Sequence, residues 1–396
     1  MKLVIAGKNS IAVDVLKHAI DHLEIQIFVV LNQTEIFKNN FQKSLGFYAN
    51  FWKIPILKLD EVYKHEDAIF LSLEFDKIVK PNLFKTKSLF NIHFSLLPAY
   101  KGMYTSALPI LHNKYKTGVT LHEIDAGIDT GNIIAQKEIT IESTDTARDL
   151  YTKYIKKGTE LVIENITSLV ENKYSSRKQS YEQSTYYGKN SIDYSILKIN
   201  YRQTAEQVLR ELRAFSFREY QLPKFQNDQI EKGQITAINS TLKPGAIVCE
   251  DDRKVQVATI DYDIVLFKDL YEILWKYCKV NDYSSLKNLL SNQKFDLEIK
   301  TKEGWTALII AAYNGAFECL ELLINDGANV NATNYNQTTA LMYAKTNYLN
   351  TYNKKCLNKL IDSGANLHAK DVFGKTLLDW VKEENTVLYN YLRGII

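Results

Sequence analysis

The chain contains few cysteines, and their positions argue against two common uses of the residue. Its 396 residues include four, Cys249, Cys278, Cys319 and Cys356. The intervals between them are 29, 41 and 37 residues, which match no zinc-binding pattern. Each lies in an apolar stretch, so we expect reduced thiols in the core of a cytoplasmic protein, without metal and without disulfide bonds.

Long apolar runs and an excess of one charge are also missing. No run approaches the roughly 20 apolar residues that cross a bilayer, and Lys8 and Asn9 interrupt the apolar start. We therefore expect neither a membrane span nor a signal peptide. Lys and Arg total 49 against 46 Asp and Glu, a net charge of +3. No basic block is long enough for a nucleic-acid arm, so we expect no nucleic-acid partner.

A cluster of polar residues occupies positions 91–131. The stretch from Leu89 to Phe94 alternates as a strand, which places Asn91 and His93 on one face. A second predicted strand, Thr117 to Ile124, leads into a loop that holds Asp129. A carboxylate beside an imidazole commonly orients and stabilises a general base. Asn91, His93 and Asp129 are thus candidate catalytic residues, although a packed histidine and a plain turn or oxygen-ligand cation site remain open.

This stretch contains two motifs in a fixed order. They are Asn91-Ile-His93-Phe-Ser95-Leu-Leu-Pro98, followed by Gly102, and then Gly118-Val-Thr120 with Gly127-Ile-Asp129-Thr-Gly131. Together they resemble the signature of the formyltransferases that use 10-formyltetrahydrofolate. The resemblance implies an α/β, Rossmann-like catalytic domain over residues 1–190, 10-formyltetrahydrofolate as co-substrate, and no metal. It also implies that His93 is the general base, Asn91 an oxyanion donor and Asp129 the partner of the imidazole.

The resemblance also suggests a pterin site beside these motifs. In the family, a segment with an aromatic residue, paired apolar residues and a proline precedes the catalytic strand. The corresponding positions here, together with two in the Asp129 loop, are the predicted cofactor-binding residues Phe75, Ile78, Val79, Asp125 and Gly127.

Candidate substrate-binding residues are more scattered. Lys2 to Ala6, Gly7 and a helix from about Ile11 predict a strand–turn–helix unit, whose helix start can hold an anion. This makes Asn9 and Ser10 candidates, and Lys77 is an exposed candidate for a substrate phosphate. The resemblance to the sugar-directed branch of the family adds Tyr186, Tyr187 and Arg213.

Residues 191–268 predict a small β-rich domain, with a helix near 200–220 and several short strands after it. Sugar enzymes of the family are typically dimers built through this region. We therefore expect a homodimer with its contact in residues 191–268.

The last 128 residues, 269–396, contain a repeat and predict an all-α ankyrin domain. The repeat is carried by Gly304-Trp-Thr-Ala-Leu, Thr339-Ala-Leu-Met and Gly374-Lys-Thr-Leu-Leu. Thr306 and Thr339 are 33 residues apart, the ankyrin period, but Thr339 and Thr376 are 37 apart, so about four residues are inserted near 348–355.

Aromatic residues stand at variable positions of this repeat. Trp305 and Tyr313, with Tyr335 bordering them, form a candidate second site for a nucleotide-sugar or related ligand. Binding of a partner protein, or simple packing of Trp305, remains open.

Three amine substrates compete within the family: methionyl-tRNA, glycinamide ribonucleotide and nucleotide-linked amino sugars. The resemblance favours a dTDP-3-amino-3,6-dideoxyhexose, and so O-antigen synthesis for lipopolysaccharide. A formyl-folate hydrolase, and an ankyrin interaction protein with a vestigial formyltransferase domain, also remain open.

Overall fold

The computed structural model describes residues 1–195 and 197–395, which divide into two compact units. The first contains Met1–Lys38 and Lys43–Asp269, and the second contains Asn39–Gln42 and Leu270–Ile396. The β-rich segment 191–268 lies in the first unit, and its status as a separate domain stays a prediction.

The first unit is an α/β structure, as the sequence predicts. Its strands are β1 (Lys2–Gly7), β2 (Gln26–Leu31), β3 (Ala68–Leu73), β4 (Leu89–His93), β5 (Lys101–Gly102), β6 (Lys116–Glu123), β7 (Ile133–Thr140), β8 (Tyr186–Tyr187), β9 (Lys224–Phe225), β10 (Asp228–Ile235), β11 (Ile247–Glu250), β12 (Lys254–Val257) and β13 (Ile264–Lys268). Its helices are α1 (Asn9–His22), α2 (Leu45–Phe51), α3 (Leu59–Val62), α4 (Leu108–Leu111), α5 (Ala147–Val170) and α6 (Ala205–Phe215), with 3₁₀ turns at Pro81–Leu83 and Lys189–Ser191.

A six-stranded sheet in the order β2-β1-β3-β4-β6-β7 forms the centre of this unit. Strands β2, β1, β3 and β4 are parallel, and β6 and β7 extend the sheet in antiparallel fashion. The parallel strands are nearly continuous apolar runs because both of their faces are covered. Strand order reverses between β1 and β3, which places a topological switch point at their carboxyl ends.

Helices α1 and α5 cover one face of this sheet. Gly158 of α5 lies so close to it that an added Cβ would stand 3.0 Å from Ile11 and 3.4 Å from Phe94. The other face carries a separate apolar core, formed by Val4, Ala6, Val30, Val62, Ala68, Phe70, Phe84 and Leu89. The first catalytic motif begins in β4 and the second begins in β6. Packing on both faces of the sheet therefore holds the strands that carry the catalytic residues.

A five-stranded antiparallel sheet in the order β11-β12-β13-β10-β9 follows, with α6 against β10. Cys249 lies on the edge strand β11 and is exposed, so the prediction of a core thiol is wrong there. Three of the four residues of β11 are exposed, because this edge strand has a neighbouring strand on one side only. The other three cysteines are buried, and all four are free thiols.

The second unit is built of helices, which confirms the predicted ankyrin domain. They are α7 (Tyr271–Val280), α8 (Tyr283–Asn292), α9 (Ala307–Asn314), α10 (Phe317–Asn325), α11 (Ala340–Thr351), α12 (Lys355–Asp362), α13 (Leu377–Glu384) and α14 (Thr386–Arg393). The repeating threonines are N-caps, which accept from the backbone N–H three residues later in α9, α11 and α13. The four inserted residues lengthen α11 to 12 residues, against eight in α9.

The described residues include neither a membrane-spanning helix nor a metal-binding group of side chains. No helix in 1–195 or 197–395 is long and apolar enough to cross a bilayer. Over the same residues, no group of three or more His, Cys, Asp or Glu side chains is arranged to hold a metal ion.

Candidate active site

Asp129 lies at the centre of the polar cluster that the motifs predict. Its Oδ2 accepts a hydrogen bond from the Gly102 N–H at 2.9 Å and stands 3.4 Å from His93 Nδ1. Its Oδ1 stands 3.6 Å from His122 Nε2. The backbone of Asp129 is left-handed, with φ 55°, which turns the carboxylate from its loop towards the two strands. The structure therefore brings Asp129 and His93 together.

His93 has a defined proton position. Its Nε2 lies 2.8 Å from the Tyr100 carbonyl oxygen, which can only accept, so Nε2 carries the proton. Nδ1 is then the nitrogen that can take up a second proton, and it faces the Asp129 carboxylate. The Tyr100 carbonyl and the Asp129 carboxylate together stabilise the imidazolium that forms when His93 acts as a general base.

His122 is a site residue that the motifs did not indicate. It pairs with Asn91 across β4 and β6, next to a register shift in β6 between Leu121 and His122. Its Nδ1 lies 2.6 Å from the Glu123 carbonyl, so Nε2 is free of hydrogen and accepts from Asn91 Nδ2 at 3.1 Å. This contact fixes the orientation of the Asn91 amide and leaves its second N–H available.

The two central groups have shifted pKa values. Burial lowers the pKa of His93, and the attraction of Asp129 and the Tyr100 carbonyl only partly opposes this. Burial alone would raise the pKa of Asp129, but His93, His122 and the Gly102 N–H outweigh it and hold the pKa at about 2. At neutral pH the pair is thus a neutral imidazole beside a carboxylate, as a general base requires.

A cavity of about 220 Å³ opens beside this cluster. Its lining includes all five predicted cofactor-binding residues, together with Asn91, Asp129 and Lys77. The other lining residues are Ser72, Asp76, His122, Ile124 and Ile128. A lining that combines apolar and aromatic side chains with polar groups is typical of a site for a small organic molecule.

The loop that carries Asp129 is held by its own hydrogen bonds. Asp125 Oδ1 accepts from the Gly127 N–H at 3.0 Å and from Thr130 Oγ1 at 2.6 Å. Gln179 Nε2 donates to the carbonyls of Asp129 and Gly131. One Asp125 oxygen therefore serves the turn, which favours a structured turn over a cation site.

The predicted substrate-binding residues lie outside the cavity, except for Lys77. Asn9 Nδ2 donates to Glu74 Oε2 at 3.0 Å and to Tyr151 Oη at 2.9 Å. Ser10 Oγ accepts from the Lys43 N–H at 3.2 Å. Both residues occupy the start of α1, where no side chain caps the helix.

The remaining candidates, Tyr186, Tyr187 and Arg213, contact other parts of the protein. The two tyrosines form β8, which pairs with β5, and the Tyr187 ring stacks on Tyr100 at 5.6 Å. Arg213 Nη1 donates to the Asp145 carbonyl at 3.0 Å. The tyrosines thus support the loop that binds Asp129, while Arg213 ties α6 to the segment before α5.

The ankyrin aromatics are arranged differently from the prediction. Trp305 is half-buried and packs against Tyr313 at 5.0 Å and Tyr343 at 4.8 Å, whereas Tyr335 lies across Gly304. Trp305 and Tyr313, but not Tyr335, line a cavity of about 750 Å³ among the described residues of this unit. Tyr343, on the next repeat, is therefore the third member of the aromatic group.

Comparisons with known proteins give two family matches. A formyl transferase family model matches residues 58–166, and an ankyrin-repeat model (three copies) matches residues 274–378. The first match contains Asn91, His93, His122 and Asp129.

Solved structures of sugar enzymes resemble the chain over more of its length. An N-formyltransferase from Helicobacter canadensis, in complex with folinic acid and dTDP-3-aminofucose, is 40% identical, with a TM-score of 0.63. The alignment covers 68% of this chain and 100% of that one. WlaRD, a sugar 3N-formyl transferase solved with dTDP and 5-N-formyl-THF, is 41% identical, with coverages of 68% and 97% and a TM-score of 0.63.

Curated relatives include methionyl-tRNA formyltransferases. That of Legionella pneumophila is 32% identical over 180 residues, 45% of this chain and 57% of the relative. That of Coxiella burnetii is 26% identical over 275 residues, 65% of this chain and 87% of the relative. The chain thus spans little more than half the length of the Legionella protein.

The similarity to the sugar enzymes and the geometry of the site indicate the same family. One structural relative is matched over its full length at 40% identity, and the catalytic motifs converge on one cluster beside a cavity. The chain therefore belongs to the N-formyltransferases, with ankyrin repeats after the catalytic domain.

Proposed function

We propose that the protein transfers a formyl group from 10-formyltetrahydrofolate to the amine of a nucleotide-linked amino sugar, a dTDP-3-amino-3,6-dideoxyhexose. One observation carries this proposal: 40% identity over the full length of an enzyme solved with dTDP-3-aminofucose. The methionyl-tRNA enzyme of Coxiella burnetii is covered over 87% of its length, but its identity is 26%. A place in O-antigen synthesis and a cytoplasmic location stay predictions.

The cavity suits the pterin end of the co-substrate. Phe75, Ile78 and Val79 contribute apolar lining, and Asp125 and Asp129 contribute polar groups. A pterin is a flat aromatic ring with polar edges, which fits a pocket of this composition. When bound, 10-formyltetrahydrofolate supplies the electrophilic formyl carbon.

His93 provides the proton transfer that this chemistry needs. The sugar ammonium has to lose a proton before its nitrogen can form a bond to carbon. His93 Nδ1 accepts that proton, and the Asp129 carboxylate, 3.4 Å away, stabilises the resulting charge. General-base catalysis of this kind contributes roughly 10²–10⁴-fold.

Asn91 provides a hydrogen-bond donor for the oxygen on which negative charge develops during the transfer. One of its Nδ2 hydrogens is used by His122, so the other can point into the cavity that Asn91 lines. A preorganised donor of this type stabilises the charge without reorganisation. His122 acts through Asn91 and is a positioning residue.

The proposed homodimer is supported by exposed apolar side chains in the edge strand β11 and in the loops that join β10 to β11 and β12 to β13. Ile238, Leu242, Ile247, Ile260 and Tyr262 are each more than a third exposed. Edge strands with apolar neighbours invite pairing with another chain. We place the subunit contact there.

The proposed second ligand site is supported by the cavity beside Trp305. Trp275 also lines it, and the indole is 9% exposed with Nε1 buried and unpartnered among the described residues. Such a donor calls for an acceptor. The lining also contains Lys276, Lys279 and Lys302 against Glu272 and Glu303, and this small excess of positive charge suits the phosphates of a nucleotide sugar.

A substrate panel tests the proposed activity. Purified protein with 10-formyltetrahydrofolate should formylate a dTDP-3-amino-3,6-dideoxyhexose, recorded as both folate release and sugar mass. The His93→Asn variant should lose about 10²–10⁴-fold in kcat with sugar binding retained, because proton transfer is removed and little contact area is lost. Folate release without a formylated sugar would indicate a hydrolase, and formylation of methionyl-tRNA alone would contradict the sugar assignment.

The pH dependence tests the role of His93. The active form is the neutral imidazole, so kcat/KM should be lost as pH falls through the pKa of His93. Because burial lowers that pKa, the midpoint should lie below 6.5. Asp129→Asn should move it lower still, since the carboxylate raises the pKa, whereas Asn91→Ala should reduce the rate without moving it. A wild-type midpoint at or above 6.5 would contradict this assignment.

Light scattering tests the dimer. At micromolar concentration the protein should have twice the 45.6 kDa mass of one chain. Ile260→Asp should shift the mass towards the monomer, and Ile273→Asp, at an exposed isoleucine outside the segment, should not. A monomeric wild type would exclude the proposed contact.

Calorimetry tests the second ligand site. The wild type should bind dTDP at two sites per chain, and Trp305→Ala should bind it at one, because the indole surface for base stacking is lost. Trp380→Ala, in the terminal repeat, is the matched control and should keep two sites. If Trp305→Ala leaves stoichiometry, kinetics and thermal stability unchanged, a partner protein becomes the better assignment.

A further inference from the structure

Three polar side chains form a network that the proposed mechanism does not use. Asn9 Nδ2 donates to Glu74 Oε2 at 3.0 Å and to Tyr151 Oη at 2.9 Å. Tyr151 Oη donates to the two Glu74 oxygens at 2.9 and 3.0 Å. The three residues come from the start of α1, the residue after β3 and helix α5, so the fold assembles them from separate elements.

The backbone at two of these residues is strained. Asn9 has φ 66° and Glu74 has φ 57°, in the left-handed region that side chains with a Cβ rarely adopt. Such conformations persist where the surroundings over-determine them, and they concentrate at functional sites. Burial also raises the pKa of the Glu74 carboxyl, although its hydrogen bonds to Asn9 and Tyr151 oppose this.

The network fixes the direction of the Asn9 amide. Both of its Nδ2 hydrogens are used, one by Glu74 and one by Tyr151. The remaining atom, Oδ1, takes part in no hydrogen bond with the described residues. All three residues are partly buried and none is fully enclosed, so the network lies at the boundary of the core.

The network lies close to the catalytic strand. Gly7 pairs with Leu73, and Leu73 pairs with Ile92, so Asn9 and Glu74 follow the carboxyl ends of β1 and β3, next to the strand that carries His93. Neighbouring strands lie about 4.8 Å apart. The Tyr151 ring packs against Phe94, which faces α5 together with Ile92, with ring centroids 6.0 Å apart. Ligands of open α/β sheets bind at such carboxyl ends beside the switch point.

Resting on the proposed function, we infer that Asn9 Oδ1 accepts a hydrogen bond from a hydroxyl of the amino hexose, and that Glu74 and Tyr151 hold Asn9 for this contact. A hexose whose amine reaches His93 extends across the next one or two strand spacings, so its ring, and not the nucleotide, comes to the network. A phosphate offers no hydrogen at neutral pH, so the side chain of Asn9 suits a sugar hydroxyl better than the diphosphate.

Tyr151→Phe tests this inference, and Tyr154→Phe is its matched control. Tyr154 lies on the same helix, is fully buried, and its Oη bonds Thr117 Oγ1 and the Thr105 carbonyl, both at 2.9 Å. Tyr151→Phe should raise the KM for the dTDP-amino sugar about tenfold, the effect of one lost hydrogen bond. The KM for 10-formyltetrahydrofolate and the Ki for dTDP should stay within about twofold, and Tyr154→Phe should change none of the three.

The outcomes separate this inference from the proposed function. If the wild type formylates no amino sugar, the proposed function fails and the inference fails with it. If the wild type is active and Tyr151→Phe leaves the sugar KM unchanged, or raises both substrate KM values equally, only the inference is overturned. Should Tyr151→Phe not fold, Glu74→Gln, which turns an acceptor facing Asn9 Nδ2 into an amide, is expected to raise the sugar KM alike.

Discussion

A buried carboxylate needs neighbouring groups that offset its lost hydration, and Asp129 sets this requirement for the catalytic domain. Its side chain is 12% exposed, yet its pKa of about 2 keeps it charged. It accepts a hydrogen bond from the Gly102 N–H of β5, and two imidazoles flank it, His93 from the end of β4 at 3.4 Å and His122 from β6 at 3.6 Å. One charge therefore fixes the relative positions of the strand ends that carry the base and the oxyanion donor.

This requirement extends to the polar segment after α5. Gly102 has φ 88°, and a Cβ there would overlap the Tyr187 carbonyl oxygen, so the close pairing of β5 and β8 needs glycine. Within the same segment, Arg177 pairs with Ile133, and Gln179 donates to the backbone of the Asp129 loop. The polar segment after α5 has few aliphatic residues and contributes little to the core. Its hydrogen bonds hold the loop that carries the catalytic carboxylate.

The catalytic motifs and the strands that carry them can be predicted from the sequence, because these features are local. Contacts that depend on the register between strands cannot. Both catalytic motifs are short runs, and the apolar periods around them indicate the strands that carry them. His122 could not be identified because its contact with Asn91 depends on the β4–β6 register and on an irregularity in β6. For Arg213 the motif resemblance suggests a ligand contact, which stays a prediction, and nothing in the sequence indicates its hydrogen bond from Nη1 to the Asp145 carbonyl.

Contacts between neighbouring ankyrin repeats hold the wall of the proposed second site. The four inserted residues add one helical turn, residues 348–351, to α11, and Asn347 directly before that turn is the counterpart of Asn314 in α9. Asn347 Nδ2 donates to the Tyr313 carbonyl at 3.1 Å, beside Gly315, where α9 ends in a left-handed conformation. A helix end leaves its last carbonyls unsatisfied, and here the next repeat supplies the donor. The next repeat thereby holds Tyr313, and with it the wall of the cavity that Trp305 lines.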